Sequence, residues 1–116
     1  MTAVDSPRRA GILVPLFSMP SSRSWGIGEF GDLEPFAAWL RAAGQSMLQI
    51  LPLNEASSGQ NSPYSALAAM ALDPVYITLG DVDEFAAAGG EDALDETAKR
   101  TLAAVRASER VDYRAV

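Results

Sequence analysis

The chain has 116 residues, 48% apolar and 21% charged, with a formal net charge of −6. That balance is too apolar for an acidic disordered tail and suits one folding unit or a piece of one. Nine Lys and Arg against fifteen Asp and Glu withhold the cationic surface that nucleic acid or an anionic membrane would need, so neither is expected as a partner. Cysteine and histidine are absent, which removes disulfides, thiolate chemistry and the commonest metal ligand, and leaves any acid-base work to carboxylates.

Residues 1–9 read as an N-terminal tail. Arg8 and Arg9 precede "AGILVPLF", but this run is too short, and interrupted too early by Pro15, for a signal peptide or a membrane span. A cytoplasmic protein is the expectation. The same run, Ala10 to Phe17, is bounded by turn formers and is expected as a strand covered on both faces. The loop "SMPSSRSWGIGEFG" follows. Asp32 then stands as N-cap to a helix carrying Leu33, Phe36, Ala37 and Leu40 at helical spacing and ending near Gly44. "MLQILPL", Met47 to Leu53, is a second buried strand stopped at Pro52. Strand, helix and strand, with continuous apolar strands, imply a right-handed parallel crossover and an α/β fold.

Small polar residues from Asn54 to Tyr64 form a loop leaving the C-terminal end of the second strand, the end that carries ligands in α/β folds. Pro63 is expected in the first turn of a helix running through Ala71. Asp73-Pro74 breaks it, with Asp73 as a turn former. Val75 to Leu79 has the content of a short extended segment, and residues 81–88 that of a short helix stopped by Gly89-Gly90. A last helix from Glu91 to about Ser108 places Leu94, Ala98, Leu102 and Val105 on one face, with Asp95 to Lys99 and Glu96 to Arg100 as supporting pairs.

Three features could carry chemistry. "GIGEFG", Gly26 to Gly31, fits the glycine pattern of dinucleotide sites, and Glu55 stands roughly where a ribose-binding acid is expected, about 20 residues on. The stretch between Phe17 and Gly26 is too long, however, for a strand that should feed the first glycine directly, and a plain loop explains the glycines better. The carboxylates Glu29, Asp32, Glu34, Glu55 and Asp73 show no spacing that argues for shared acid-base work. Trp25 and Tyr64 lie in loops, where an aromatic ring could stack on a sugar or simply pack.

Three blocks, "AGILVPLFSMPSSRSWGIGEFGD", "WLRAAGQSMLQILPLNE" and "NSPYSALAAMALDPVYITL", resemble in order and spacing the N-terminal part of 4-α-glucanotransferases, the amylomaltases or disproportionating enzymes of glycoside hydrolase family 77. The likeness runs from about Arg9 to Tyr113 in "VDY". It implies a (β/α)8 TIM barrel with insertions, of which residues 10–80 would be the first two strand-helix units and residues 81–116 the start of an inserted helical subdomain. A complete barrel needs about 250 residues, so the chain reads as an N-terminal fragment and not as a closed barrel.

The resemblance further implies retaining transglycosylation that moves α-1,4-glucan segments between maltodextrins, with no organic cofactor and no metal. By matching, Tyr64 packs against the glucose nearest the scissile bond and Ser62 is a nearby polar contact. Pro63 fixes their turn, and the Ala-rich run behind it is the buried segment that holds the turn. Trp25 stands where many relatives carry a tyrosine and is the third substrate-binding candidate. In the family the nucleophile, the acid/base and a stabilising carboxylate come from later strands, and no motif here matches them, so no catalytic residue is assigned. The chain would supply part of the donor-side wall. "NEASSGQN", residues 54–61, lacks the tyrosine that some relatives carry in this loop. The other classes left open are a non-catalytic glucan-binding or remnant protein and a nucleotide-binding module.

Overall fold

In the computed structural model, which describes residues 8–57, 59–60 and 62–116, the two apolar runs pair side by side. Strand β1, Gly11–Leu13, lies parallel to β2, Met47–Gln49, with Gly11 opposite Met47, Ile12 opposite Leu48 and Leu13 opposite Gln49. Ser46 N–H donating to Ala10 O and Val14 N–H donating to Gln49 O, both at 2.9 Å, prolong the ladder. Parallel neighbours require a crossover, and helix α1, Leu33–Ala42, lies between them in the chain. The result is a small mixed α/β unit built on two parallel strands, not a closed barrel.

Both strands are shorter than their apolar runs. Pro15 has no N–H to continue a ladder, and Leu16–Ser18 wind into a 3-10 turn in which the Ser18 hydroxyl donates to Pro15 O at 2.8 Å. The expected cover on both faces is also corrected: Leu13 is 56% and Met47 51% exposed. A groove lined by Ala37, Leu40, Met47 and Leu48 runs between α1 and β2, so the helix closes over the sheet only in part.

Asp32 precedes α1 but does not cap it through its side chain. Its carboxylate instead accepts from Glu29 N–H at 2.8 Å and closes the 3-10 turn Phe30–Asp32 that feeds the helix. Past Ala42, Gly44 takes φ +76° and Gln45 N–H returns to Leu40 O at 2.9 Å, the left-handed helix ending for which glycine is suited.

The helix expected from Pro63 through Ala71 does not form. Antiparallel bridges from Asn54 to Leu72 and from Ala56 to Ala66 fold this segment back along the loop that leaves β2. The Asn54 amide donates to Ala69 O and Ala71 O at 3.0 and 3.1 Å, and Leu67 N–H donates to Glu55 O at 2.8 Å. These contacts take up the backbone groups a helix would use, and alanine's helix propensity is too weak a bias to compete. Nor is the run buried, since Met70 is 95% exposed.

The extended segment expected at Val75 to Leu79 is replaced by two 3-10 turns, Pro74–Tyr76 and Leu79–Asp81. Asp73 makes the first of them, its carboxylate accepting from Val75 N–H at 3.0 Å, so its expected turn-forming role holds. Helix α2, Asp83–Ala87, falls inside the expected span and stops ahead of Gly89-Gly90. Helix α3, Glu96–Ala107, begins later than expected because Gly90–Ala93 winds as 3-10 and Asp95 provides the cap, accepting from Ala98 N–H at 2.7 Å. Leu102 and Val105 are buried as their spacing requires. The expected side-chain pairs are corrected: Asp95 is spent on the backbone, and Arg100 Nε donates to the main-chain oxygen of Glu96 at 3.1 Å.

The core gathers beyond the C-terminal ends of the strands. Leu16, Ile27 and Tyr76 are its buried centre, ringed by Phe17, Phe30, Leu53, Val111 and Tyr113 among others. Loops and the C-terminal segment therefore contribute most of it. Among the described residues no helix is long and apolar enough to cross a membrane.

Candidate functional site at the C-terminal end of the strands

Because β1 and β2 are parallel, the connections that follow them, residues 14–32 and 50–73, leave the same end of the sheet. A cleft of about 580 Å³ opens there between the loop after β2 and the segment around residues 108–114. Phe17, Val75 and Tyr76 line it on the apolar side, and Asn54, Gln60 and Arg110 bring polar groups to it. Tyr113 also lines the cleft and meets Phe17 edge-on, with centroids 6.5 Å apart. Burial, reinforced by Tyr113 and Asp73, pushes the Tyr76 phenol up to about 12. Burial likewise raises the Tyr113 phenol. The Tyr76 phenol is directed to that of Tyr113, and the pair sets phenolic oxygen beside apolar surface, a combination suited to a sugar, which presents C–H faces and hydroxyl edges.

Ser62, Pro63, Tyr64 and Ser65 form a tight turn on the rim. Ser65 N–H donates to Ser62 O at 3.0 Å and Tyr64 N–H to the Ser62 hydroxyl at 3.3 Å. Proline sits at the second position, where its fixed φ favours such a turn. Ser62 and Pro63 line the cleft, whereas Tyr64 projects from the turn and is 73% exposed.

Trp25 lies elsewhere. It is half-buried, edge-on to Phe85 with centroids 5.6 Å apart, and borders a separate depression along α3 formed with Ala98, Thr101 and Val105. The structure therefore brings Ser62 to the cleft and Tyr64 to its rim, but sets Trp25 in a different hollow. Around Trp25 the loop is held by buried polar groups. Glu29, 2% exposed, accepts from Trp25 N–H at 2.6 Å. Burial raises its carboxyl, the Trp25 N–H partly offsets this, and Asp32 pushes it further up. Arg106 donates from Nε to Ser24 O at 2.9 Å and forks onto both oxygens of Glu91 at 2.9 and 2.6 Å. The pairing lowers the Glu91 carboxyl and raises the Arg106 guanidinium.

In the glycine loop, Gly28 N–H already donates to Phe17 O and Gly31 N–H to the Thr78 hydroxyl, at 3.3 and 2.7 Å. Those two amides are thus spent within the fold and do not face outward as a pyrophosphate cradle would require.

A family model described as 4-alpha-glucanotransferase matches residues 14–116. The chain belongs to that family. It is 38% identical over 95 residues to a 4-alpha-glucanotransferase of Chlamydia pneumoniae, a match covering 82% of this chain and 16% of the relative. A 4-alpha-glucanotransferase of Haemophilus influenzae is 32% identical over 111 residues, 91% of this chain and 16% of the relative. One from Chlamydia caviae is 44% identical over 72 residues, 62% of this chain and 13% of the relative. The chain thus spans only about a sixth or less of the length of these 4-alpha-glucanotransferases. The matched region takes in both loops, the cleft and the Ser62-Pro63-Tyr64 turn.

Sequence reasoning missed two parts of this region. The segment around Arg110 and Tyr113 becomes a wall of the cleft, for which "VDY" gave only a likeness. The Glu29 and Asp32 carboxylates do act together, as a local turn-closing pair whose three-residue spacing is that of a capping box.

Proposed function

We propose that this chain is the donor-side part of a 4-α-glucanotransferase, which moves α-1,4-glucan segments between maltodextrins by retaining transglycosylation in the cytoplasm. In this reading residues 10–80 form the first two strand-helix units of a (β/α)8 barrel and residues 81–116 begin an inserted helical subdomain. Tyr64 stacks on the glucose nearest the scissile bond, Ser62 bonds a sugar hydroxyl, and Trp25, in its separate hollow along α3, supplies an aromatic contact outside the cleft. The chemistry proceeds by attack of one carboxylate on the anomeric carbon while a second protonates the departing glycosidic oxygen. An incoming glucan hydroxyl then displaces the first carboxylate and returns its proton to the second, so the α-linkage is kept and nothing is oxidised or reduced. In this reading both carboxylates come from later strands of the family's polypeptide, and none of the residues of this chain is assigned to them.

The observation that most supports this reading is the position of the cleft and the Ser62 turn at the C-terminal end of parallel strands, within the family match, the end at which barrel enzymes carry their chemistry. Tyr64→Ala in the protein at its natural length tests it. Loss of one stacked ring, worth up to about 1.5 kcal/mol, should lower kcat/KM for maltotriose roughly tenfold. The thermal midpoint should stay put, because the ring is 73% exposed. Unchanged turnover would reduce Tyr64 to a surface residue.

A further inference from the structure

One peptide group in the loop after β1 is gripped from both ends by charged side chains. The carbonyl oxygen of Ser24 accepts from Arg106 Nε at 2.9 Å, and the N–H of Trp25, across the same peptide bond, donates to Glu29 Oε1 at 2.6 Å. Arg106 reaches in from the last turn of α3, 82 residues away in the chain. Each grip is braced in turn. The guanidinium forks onto Glu91 and also donates to Arg23 O at 3.3 Å, while Glu29's own N–H is held by Asp32 Oδ2 at 2.8 Å. A peptide unit is planar, so fixing both its C=O and its N–H sets ψ of Ser24 and φ of Trp25 together.

A buried carboxylate is a poor way to gain stability alone, because its desolvation offsets much of what its bonds return. Its effect here is directional. Charge-assisted bonds to one peptide fix the backbone at the root of the Trp25 side chain, and the next residue, Gly26, lies directly against Val105 of α3.

We propose that Glu29 and Arg106 act as a peptide clamp that fixes the backbone from which the Trp25 ring projects, and that they are positioning residues for a glucan contact of Trp25 in its own hollow along α3, apart from the cleft. The glucan contact rests on the function proposed above; the clamp itself does not.

The test uses the protein at its natural length labelled with 5-fluorotryptophan, the Trp25 and Trp39 fluorine signals being assigned by their loss in Trp25→Phe and Trp39→Phe. Arg106→Lys keeps the charge but loses the planar fork that holds Glu91 and Ser24 together, and Glu29→Ala removes the acceptor. Both should shift or broaden the Trp25 signal and leave that of Trp39, on the exposed side of α1, in place. Glu29→Gln, which still offers a carbonyl acceptor, should restore the Trp25 signal. With maltotriose, the two disruptive variants should raise KM about threefold or more while kcat stays within about twofold.

A Trp25 signal unmoved in both variants overturns the clamp, whatever happens to the melting temperature. If a variant also loses the Trp39 signal it has unfolded, and Glu91→Gln, which slackens the guanidinium without removing it, decides by the same criterion. A moved Trp25 signal with unchanged KM keeps the clamp and overturns the positioning role toward glucan. Failure of the glucanotransferase reading shows separately, as absence of maltotriose turnover in the unsubstituted protein.

Discussion

Gly26→Ala probes the packing that sets the loop after β1 on α3. Gly26 adopts φ +93°, and a β-carbon added there would lie 2.7 Å from Val105 Cβ, 2.8 Å from its Cγ2 and 3.1 Å from its carbonyl carbon. Two costs therefore add. The left-handed backbone costs an L-residue roughly 1–2 kcal/mol, and forcing a methyl group into occupied space typically costs about 1–3 kcal/mol more. The sum is about 2–5 kcal/mol, a large share of a small unit's stability. Gly44→Ala is the internal control, because Gly44 has φ +76° but nothing within 4 Å of the added carbon, so only the backbone cost of roughly 1–2 kcal/mol applies. Urea unfolding followed by circular dichroism should show the midpoint of Gly26→Ala falling about twice as far as that of Gly44→Ala. Equal losses would mean that the loop lifts off Val105 freely, and would refute the close packing on which the loop's placement is argued.

The remaining expectations concern charge and capping. The Glu29 carboxyl sits above its ordinary 4.5 because of burial, so the folded state holds that proton more tightly than the unfolded chain. The contribution of Glu29 to stability must therefore fall as pH rises from that value through the raised one. Glu29→Gln cannot ionise, and its stability relative to the unsubstituted protein should climb across that window and level off above it; a difference flat from about pH 4 to about pH 7 contradicts the assignment. Asp95→Ala removes the acceptor for Ala98 N–H and should cost about 1 kcal/mol in chemical unfolding, whereas no loss would show that the Asp95 cap carries no weight. The Tyr64→Ala and clamp experiments complete the set.

Some of the site was legible in residue order. The family resemblance implied a turn fixed by Pro63, and a turn forms across Ser62 to Ser65, whereas the residue pattern alone had Pro63 opening a helix. The likeness of several ordered blocks to 4-α-glucanotransferases survives comparison with the family. The Ala-rich run after Tyr64 misled because helix propensity is a local quantity. Asn54 and Glu55, distant in sequence, claim its carbonyls and amides, and nothing in the run itself records that competition.

By itself the sequence determined the local features whose causes are local. Pro15 ends a ladder for want of an N–H, Asp73 turns the chain by bonding Val75, and the spacing of Leu102 and Val105 gives α3 one buried face. The parallel order of the strands was also implied, since a helix between two apolar runs leaves little alternative. Only the tertiary structure decided which distant groups meet: Arg106 with Ser24, Gly31 with Thr78, and Tyr113 with Phe17. Those contacts depend on closing long loops, whose outcome is set by how the whole chain packs and not by any stretch within it.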